Sequence, residues 1–207
     1  MIKICGITSR DDAQMVAEAG ASAIGLMFYD KSARAVTPAQ AASIVDGLSL
    51  FTARVGVFVN PTEELVWQAI QAAGLTVLQF HGEEPAEFCL RFGLMTMKAF
   101  RIKDAASLEA LGRYPTDAWL LDAHSPAGHG GTGERFDWDL AVRAKGMGRP
   151  IVLAGGLTPA NVAEAIARVV PFGVDVSSGV ESAPGRKDPA KVKAFIAAAK
   201  GAIDRPV

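Results

Sequence analysis

Residues 151–180 read IVLAGGLTPANVAEAIARVVPFGVDVSSGV. The apolar run Ile151 to Ala154 stops at paired glycines, and Thr158-Pro159 then sets a capping side chain before a proline at the first helical position. Apolar residues recur at helical spacing from Pro159 to Val169, and a second short run, Gly173 to Ser177, leads into the turn at Gly179. Strand, helix and strand within about 30 residues make a parallel βαβ unit.

The same unit repeats toward both ends of the chain. Further strands are expected at Ile2 to Cys5, Ala23 to Phe28, Arg54 to Val59, Val77 to Phe80, Thr96 to Phe100 and Ala118 to Asp122. Helical patterns cover Asp11 to Ala19, Pro38 to Val45, Thr62 to Ala73, Pro85 to Phe92 and Pro189 to Ala199. Thr37-Pro38 and Asp188-Pro189 repeat the capping signal, and Gly20 and Gly74 stop two helices. Eight rounds in 207 residues predict an α/β fold, a single (β/α)8 TIM barrel with short connections. An open doubly wound sheet, which usually stops at about five or six strands, fits less well. No linker or low-complexity run divides the chain, so residues 1–207 read as one catalytic domain.

The composition is half hydrophobic with 21% charged residues, enough for a large core and unlike a disordered chain. A net charge of -1 leaves no basic field for a phosphate backbone, so no nucleic-acid partner is expected. Apolar stretches such as Ala19 to Tyr29 are too short and too interrupted to span a membrane, and the start of the chain has no secretory pattern. A cytoplasmic location is therefore expected. Two cysteines, Cys5 and Cys89, make neither a disulfide framework nor a zinc site, and no metal is expected.

In such a barrel the chemistry gathers where strands end, on the face formed by the βα loops. The first strand ends in Cys5-Gly6, where a thiol would face that mouth, although taken alone Cys5 reads as a small buried hydrophobe; Cys89 falls within a helical pattern and reads as core. The sixth strand places Asp122 at its end. The segment 125–136 that follows is long and glycine-rich, as a mobile lid would be. Residues 128–133 match G-x-G-x-x-G literally, but no acidic strand end follows at the required distance, so no nucleotide cofactor is expected. The glycine turns after the seventh and eighth strands, leading toward helix N-termini, suit a phosphate. The substrate is then a small phosphorylated molecule lying toward Cys5 and Asp122. His81 follows the fourth strand at the same rim, and Arg34, in the second βα connection, suits a bidentate clamp on a carboxylate.

Taken together, these residues resemble the phosphoribosylanthranilate isomerase family of tryptophan biosynthesis, over essentially the whole chain. The resemblance rests on Lys3-Ile4-Cys5-Gly6-Ile7-Thr8, Ser32-Ala33-Arg34-Ala35-Val36, Gln79-Phe80-His81-Gly82, Leu121-Asp122 and Gly130-Gly131-Thr132-Gly133. It continues through Ala154-Gly155-Gly156-Leu157 and Asp175-Val176-Ser177-Ser178-Gly179-Val180-Glu181. One departure is Ala33, where the family usually carries proline.

The resemblance implies a cofactor-free Amadori rearrangement of N-(5-phosphoribosyl)anthranilate to 1-(2-carboxyphenylamino)-1-deoxyribulose 5-phosphate. Asp122, held protonated, is then the general acid that opens the ribose ring. Cys5 as thiolate is the base at C2', its pKa lowered by helix N-termini or cations at the mouth. By the same resemblance His81, Asp175 and Arg34 position substrate, and the backbone of Gly155, Gly156, Ser178 and Gly179 cradles the phosphate. Monomer and homodimer both stay open. Two other readings are a related sugar-phosphate barrel isomerase of histidine biosynthesis, which carries aspartate in place of Cys5, and a non-catalytic barrel that binds a phosphometabolite.

Overall fold

The computed structural model describes residues 1–123 and 138–203. Eight parallel strands close a barrel in chain order: β1 (Ile2–Cys5), β2 (Ala23–Phe28), β3 (Ala53–Phe58), β4 (Val77–Phe80), β5 (Met95–Ile102), β6 (Ala118–Ala123), β7 (Ile151–Ala154) and β8 (Gly173–Val176). The ring is sealed by β1 against β8, with Lys3 in register with Asp175. Around it lie α1 (Arg10–Glu18), α2 (Pro38–Val45), α3 (Glu63–Ala73), α4 (Ala86–Cys89), α5 (Trp138–Lys145), α6 (Val162–Val169) and α7 (Pro189–Ile203). Among the described residues no helix is long and apolar enough to cross a membrane.

Alternation along each strand sorts side chains into two shells. Ile2, Ile4, Leu121, Leu153, Val174 and Val176 face outward into the main core beneath the helices. Inside the barrel, Cys5, Ala23, Val55 and Val57 pack together on one side, and Met97, Leu120, Val152 and Ala154 on the other. The polar residues Lys3, Gln79 and Asp175 occupy the same parity and are buried. A strand's inward residue near its C-terminal end therefore reaches the mouth.

Local signals explain most helix starts. Ser9 accepts from Asp12 N, Thr37 and Gln40 form a reciprocal capping box, Thr62 accepts from Leu65 N, and Asp188 accepts from Ala190 N and Lys191 N. Gly74, left-handed at φ 55°, ends α3.

Two expectations need correction. The helix expected over Pro85 to Phe92 closes at Cys89, where an Arg91 N to Phe88 O bond tightens the chain and Phe88 and Phe92 pack edge to face. The α6 helix starts at Val162 and not at Pro159, because Asn161 wraps a turn, its Oδ1 accepting from Thr158 N and its Nδ2 donating to Gly156 O. A 3₁₀ helix, Ala106–Arg113, stands between β5 and β6. After β8 the chain makes a short 3₁₀ turn, Ser178–Val180, and an unforeseen hairpin of β9 (Glu181–Ala183) and β10 (Arg186–Lys187).

Candidate active site

The mouth of the barrel holds a cavity of about 590 Å³, within the usual range for a small-molecule site. All nine residues expected at the site line it: Cys5, Arg34, His81, Asp122, Gly155, Gly156, Asp175, Ser178 and Gly179. They come from β1, β6 and β8 or from the connections that follow β2, β4, β7 and β8. Gly155 and Gly156 both adopt positive φ, at 80° and 66°, so the turn after β7 requires glycine. In the turn after β8, Gly179 lies so close to Leu157 that a Cβ on it would meet the Leu157 carbonyl oxygen at 2.0 Å. The two glycine turns thus form one continuous backbone surface. The helix N-termini expected there are replaced by the three-residue 3₁₀ turn and by a turn that delays α6.

Cys5 is buried at the inner wall, less open than a residue at the barrel mouth was expected to be. Burial, the largest influence, pushes its thiol up; Lys3 and Lys187 pull it down, Asp175 pushes it up, and the outcome lies above the ordinary thiol value. The expected cations are present, but they come from the barrel interior and the hairpin, and burial outweighs them. Lys3 is fully buried with Nζ 2.9 Å from Asp175 Oδ1. Burial alone would lower this ammonium, yet Asp175 and Cys5 raise it above the usual lysine range, so it is charged at any neutral pH.

Arg34 holds a carboxylate, as its position suggested, but in this structure the carboxylate is Glu181 of the hairpin. Nε donates to Oε1 at 2.8 Å and Nη2 to Oε2 at 2.6 Å. Lys187 Nζ joins the same Oε1 at 2.8 Å. Burial works against the Glu181 carboxylate, but the two cations overcome it and hold the group below its usual range. The sequence reading gave Lys3, Glu181 and Lys187 no role. Lys3 did carry a signal, a lysine between two isoleucines in a short buried strand.

His81 is neutral over the physiological range. Burial is the main cause, and Lys3, Lys98 and Arg101 add to it, depressing the ring to about 3. The Gln79 amide meets His81 Nε2, whereas Gln79 Oε1 and Ser177 Oγ are buried with no partner among the described residues. Both Gln79 and Ser177 line the cavity, so a polar ligand there would satisfy them. Beneath His81, Lys98 Nζ donates to Gly82 O and pairs with Glu84 at 2.7 Å, fixing the end of β4. Cys89 is fully buried outside this site, and burial pushes its thiol up to about 11. No group of three or more potential metal ligands occurs among the described residues. The lid expected at 125–136, with its glycine motif, lies outside the described residues.

Comparison with known proteins is consistent with this geometry. The family model for N-(5'-phosphoribosyl)anthranilate isomerase matches residues 2–198. A relative of that name from Citrifermentans bemidjiense is 56% identical over 199 residues, covering 96% of each chain. The solved phosphoribosyl anthranilate isomerase of Thermotoga maritima is 42% identical, with a TM-score of 0.90 over 97% of this chain and 98% of that one. A further solved isomerase, in complex with reduced 1-(o-carboxyphenylamino)-1-deoxyribulose 5-phosphate, is 41% identical, with a TM-score of 0.88 over the same shares.

Proposed function

The chain belongs to the N-(5'-phosphoribosyl)anthranilate isomerase family, and on that premise we propose that it converts N-(5-phosphoribosyl)anthranilate to 1-(2-carboxyphenylamino)-1-deoxyribulose 5-phosphate in tryptophan biosynthesis. The observation that carries this reading is that a thiol and a carboxyl group, Cys5 and Asp122, share one cavity with a glycine-turn surface suited to a phosphate. The relative bound to a reduced, phosphorylated product analogue supports the same ligand class.

In the proposed reaction Asp122 donates its proton to the ribose ring oxygen as the C1'–O bond breaks. The nitrogen lone pair forms the C1'=N bond and leaves an iminium. The Cys5 thiolate then takes the C2' proton, the C–H pair becomes the C1'=C2' bond, and the iminium π pair returns to nitrogen. The resulting enolamine tautomerises to the ketone as C1' gains a proton and the C2' hydroxyl loses one. The thiol gives its proton to solvent and the Asp122 carboxylate regains one. Arg34 orients the anthranilate carboxylate, neutral His81 and the Lys3-paired Asp175 hydrogen-bond the sugar, and backbone at Gly155, Gly156, Ser178 and Gly179 receives the phosphate. The step needs no cofactor and is assigned to one catalytic barrel, residues 1–207, in the cytoplasm.

The test is to add phosphoribosylanthranilate to the purified protein, follow the loss of anthranilate fluorescence, and ask whether the chain restores growth of a tryptophan auxotroph lacking this isomerase. Turnover and growth are expected. Absence of both would overturn the assignment, and turnover of the histidine-pathway aldose alone would favour the related isomerase.

A further inference from the structure

We propose that Lys3 is a positioning residue for the base: its ammonium, anchored by Asp175 inside the barrel, stands beside Cys5 Sγ and stabilises the thiolate that accepts the substrate proton. This rests on the reading of Cys5 as the base. Burying an ammonium is costly, so a fully buried lysine in a strand with Ile2 and Ile4 needs a compensating partner. Asp175 Oδ1, at 2.9 Å, takes one of its three donors. The Cys5 sulfur lies on the same inward face of β1, and the two groups act on each other: Lys3 pulls the thiol down and Cys5 raises the ammonium.

The neighbouring strand makes room for this meeting. Gly25 of β2 stands in register with Cys5, and a Cβ built on it would lie 2.6 Å from Cys5 Sγ and 3.1 Å from Lys3 Nζ. Sulfur and ammonium therefore converge on the space left by one missing side chain. Any larger residue at that position would drive one of them away.

The charged groups around Cys5 are few. Lys3 comes from β1 itself, Asp175 from β8, Lys187 from β10 and Arg34 from the connection after β2. The residues that β2 and β3 pack beside it are uncharged: Gly25, Met27, Val55 and Val57. Lys187 and Arg34 are both engaged by Glu181. With Lys3 and Asp175 opposed and Glu181 shared by two cations, the cluster is left with one net positive charge, which a Cys5 thiolate balances. Lys3 shares a strand face with the sulfur, and it is the cation whose distance from Cys5 is fixed by the β1 backbone.

The experiment measures the rate at which Cys5 is alkylated by iodoacetamide as a function of pH, in peptides resolved by mass spectrometry, alongside the acid limb of kcat/KM. Wild type is compared with Lys3→Met and with Lys3→Met/Asp175→Asn, in which the stranded carboxylate is also neutralised. Both variants are expected to move the alkylation midpoint to higher pH, by about 1 to 3 pH units in Lys3→Met and by less in the double variant. The acid limb of kcat/KM should move the same way. A lysine that merely braced the barrel would lower the yield of folded protein without moving either midpoint. Unmoved midpoints in folded variants would overturn the proposal, as would failure of both variants to fold, which would make Lys3 a structural strut. Should Cys5→Ala retain turnover, it is the reading of Cys5 as base that fails, an outcome the Lys3 variants do not mimic.

Discussion

Arg34 and Glu181, 147 residues apart in the chain, are joined by two hydrogen bonds in a fork, at 2.8 and 2.6 Å. The pair ties the connection after β2 to the hairpin after β8, and so orients the cation proposed to receive the substrate carboxylate. Glu181→Gln removes the charge that holds Arg34 in place. KM should rise about tenfold with kcat largely intact, since a carboxylate clamp holds ground state and transition state alike. Arg34→Met should raise KM further. Initial-rate kinetics check both, and an unchanged KM in Arg34→Met would remove Arg34 from the carboxylate site.

Cys5→Ala and Asp122→Asn should each lower kcat by at least about 10²-fold, the low end for a general acid or base. Thermal melts should stay close to wild type in both. Near-normal turnover in either variant would strip that residue of its assigned step.

The two thiols should separate by reactivity. Cys5 lines the cavity, whereas Cys89 is fully buried in the core with its thiol pushed up to about 11. Iodoacetamide near pH 8 should label Cys5 first, with activity falling in step, and a bound product analogue should slow the labelling. Full alkylation of Cys5 with activity intact, or prior labelling of Cys89, would contradict the assignment.

His81 links stability to pH. Its folded value of about 3 lies below the 6.5 of an ordinary histidine, so as pH falls below about 6.5 the unfolded chain takes up a proton that the folded one refuses. The contribution of the neutral ring is full above 6.5 and is lost as pH falls toward 3, with a slope of at most about 1.4 kcal/mol per pH unit. His81→Gln should flatten the urea stability curve across that window. A variant with the same slope as wild type would show that His81 titrates normally.

Much of this molecule was legible because the barrel repeats its signals. Each strand is a short apolar run, and where a side chain could cap the next helix, as Thr37 and Thr62 do, the start was readable to within a residue. Thr158-Pro159 misled because the competing cap, Asn161, bonds backward to Gly156 and Thr158, a geometry that residue type alone does not announce. Cys5 and Asp122 were readable as polar residues at strand ends. The environment of Cys5 was not, since it depends on Lys3 and Gly25 across a strand register and on Lys187 from a hairpin too short for periodicity.

The pairing of β1 with β8 also bears on how the molecule comes into being. Lys3 and Asp175 are 172 residues apart, among the most distant contacts the chain makes, and the entropy of closing so large a loop must be met before the contact rewards it. As the ribosome extrudes the chain, Cys5 emerges early and waits, its surroundings unfinished, until the eighth strand arrives. Thiol reactivity at Cys5 is therefore a clock for the last stage of folding. Pulse alkylation during refolding should report ring closure separately from helix formation, which circular dichroism would register earlier.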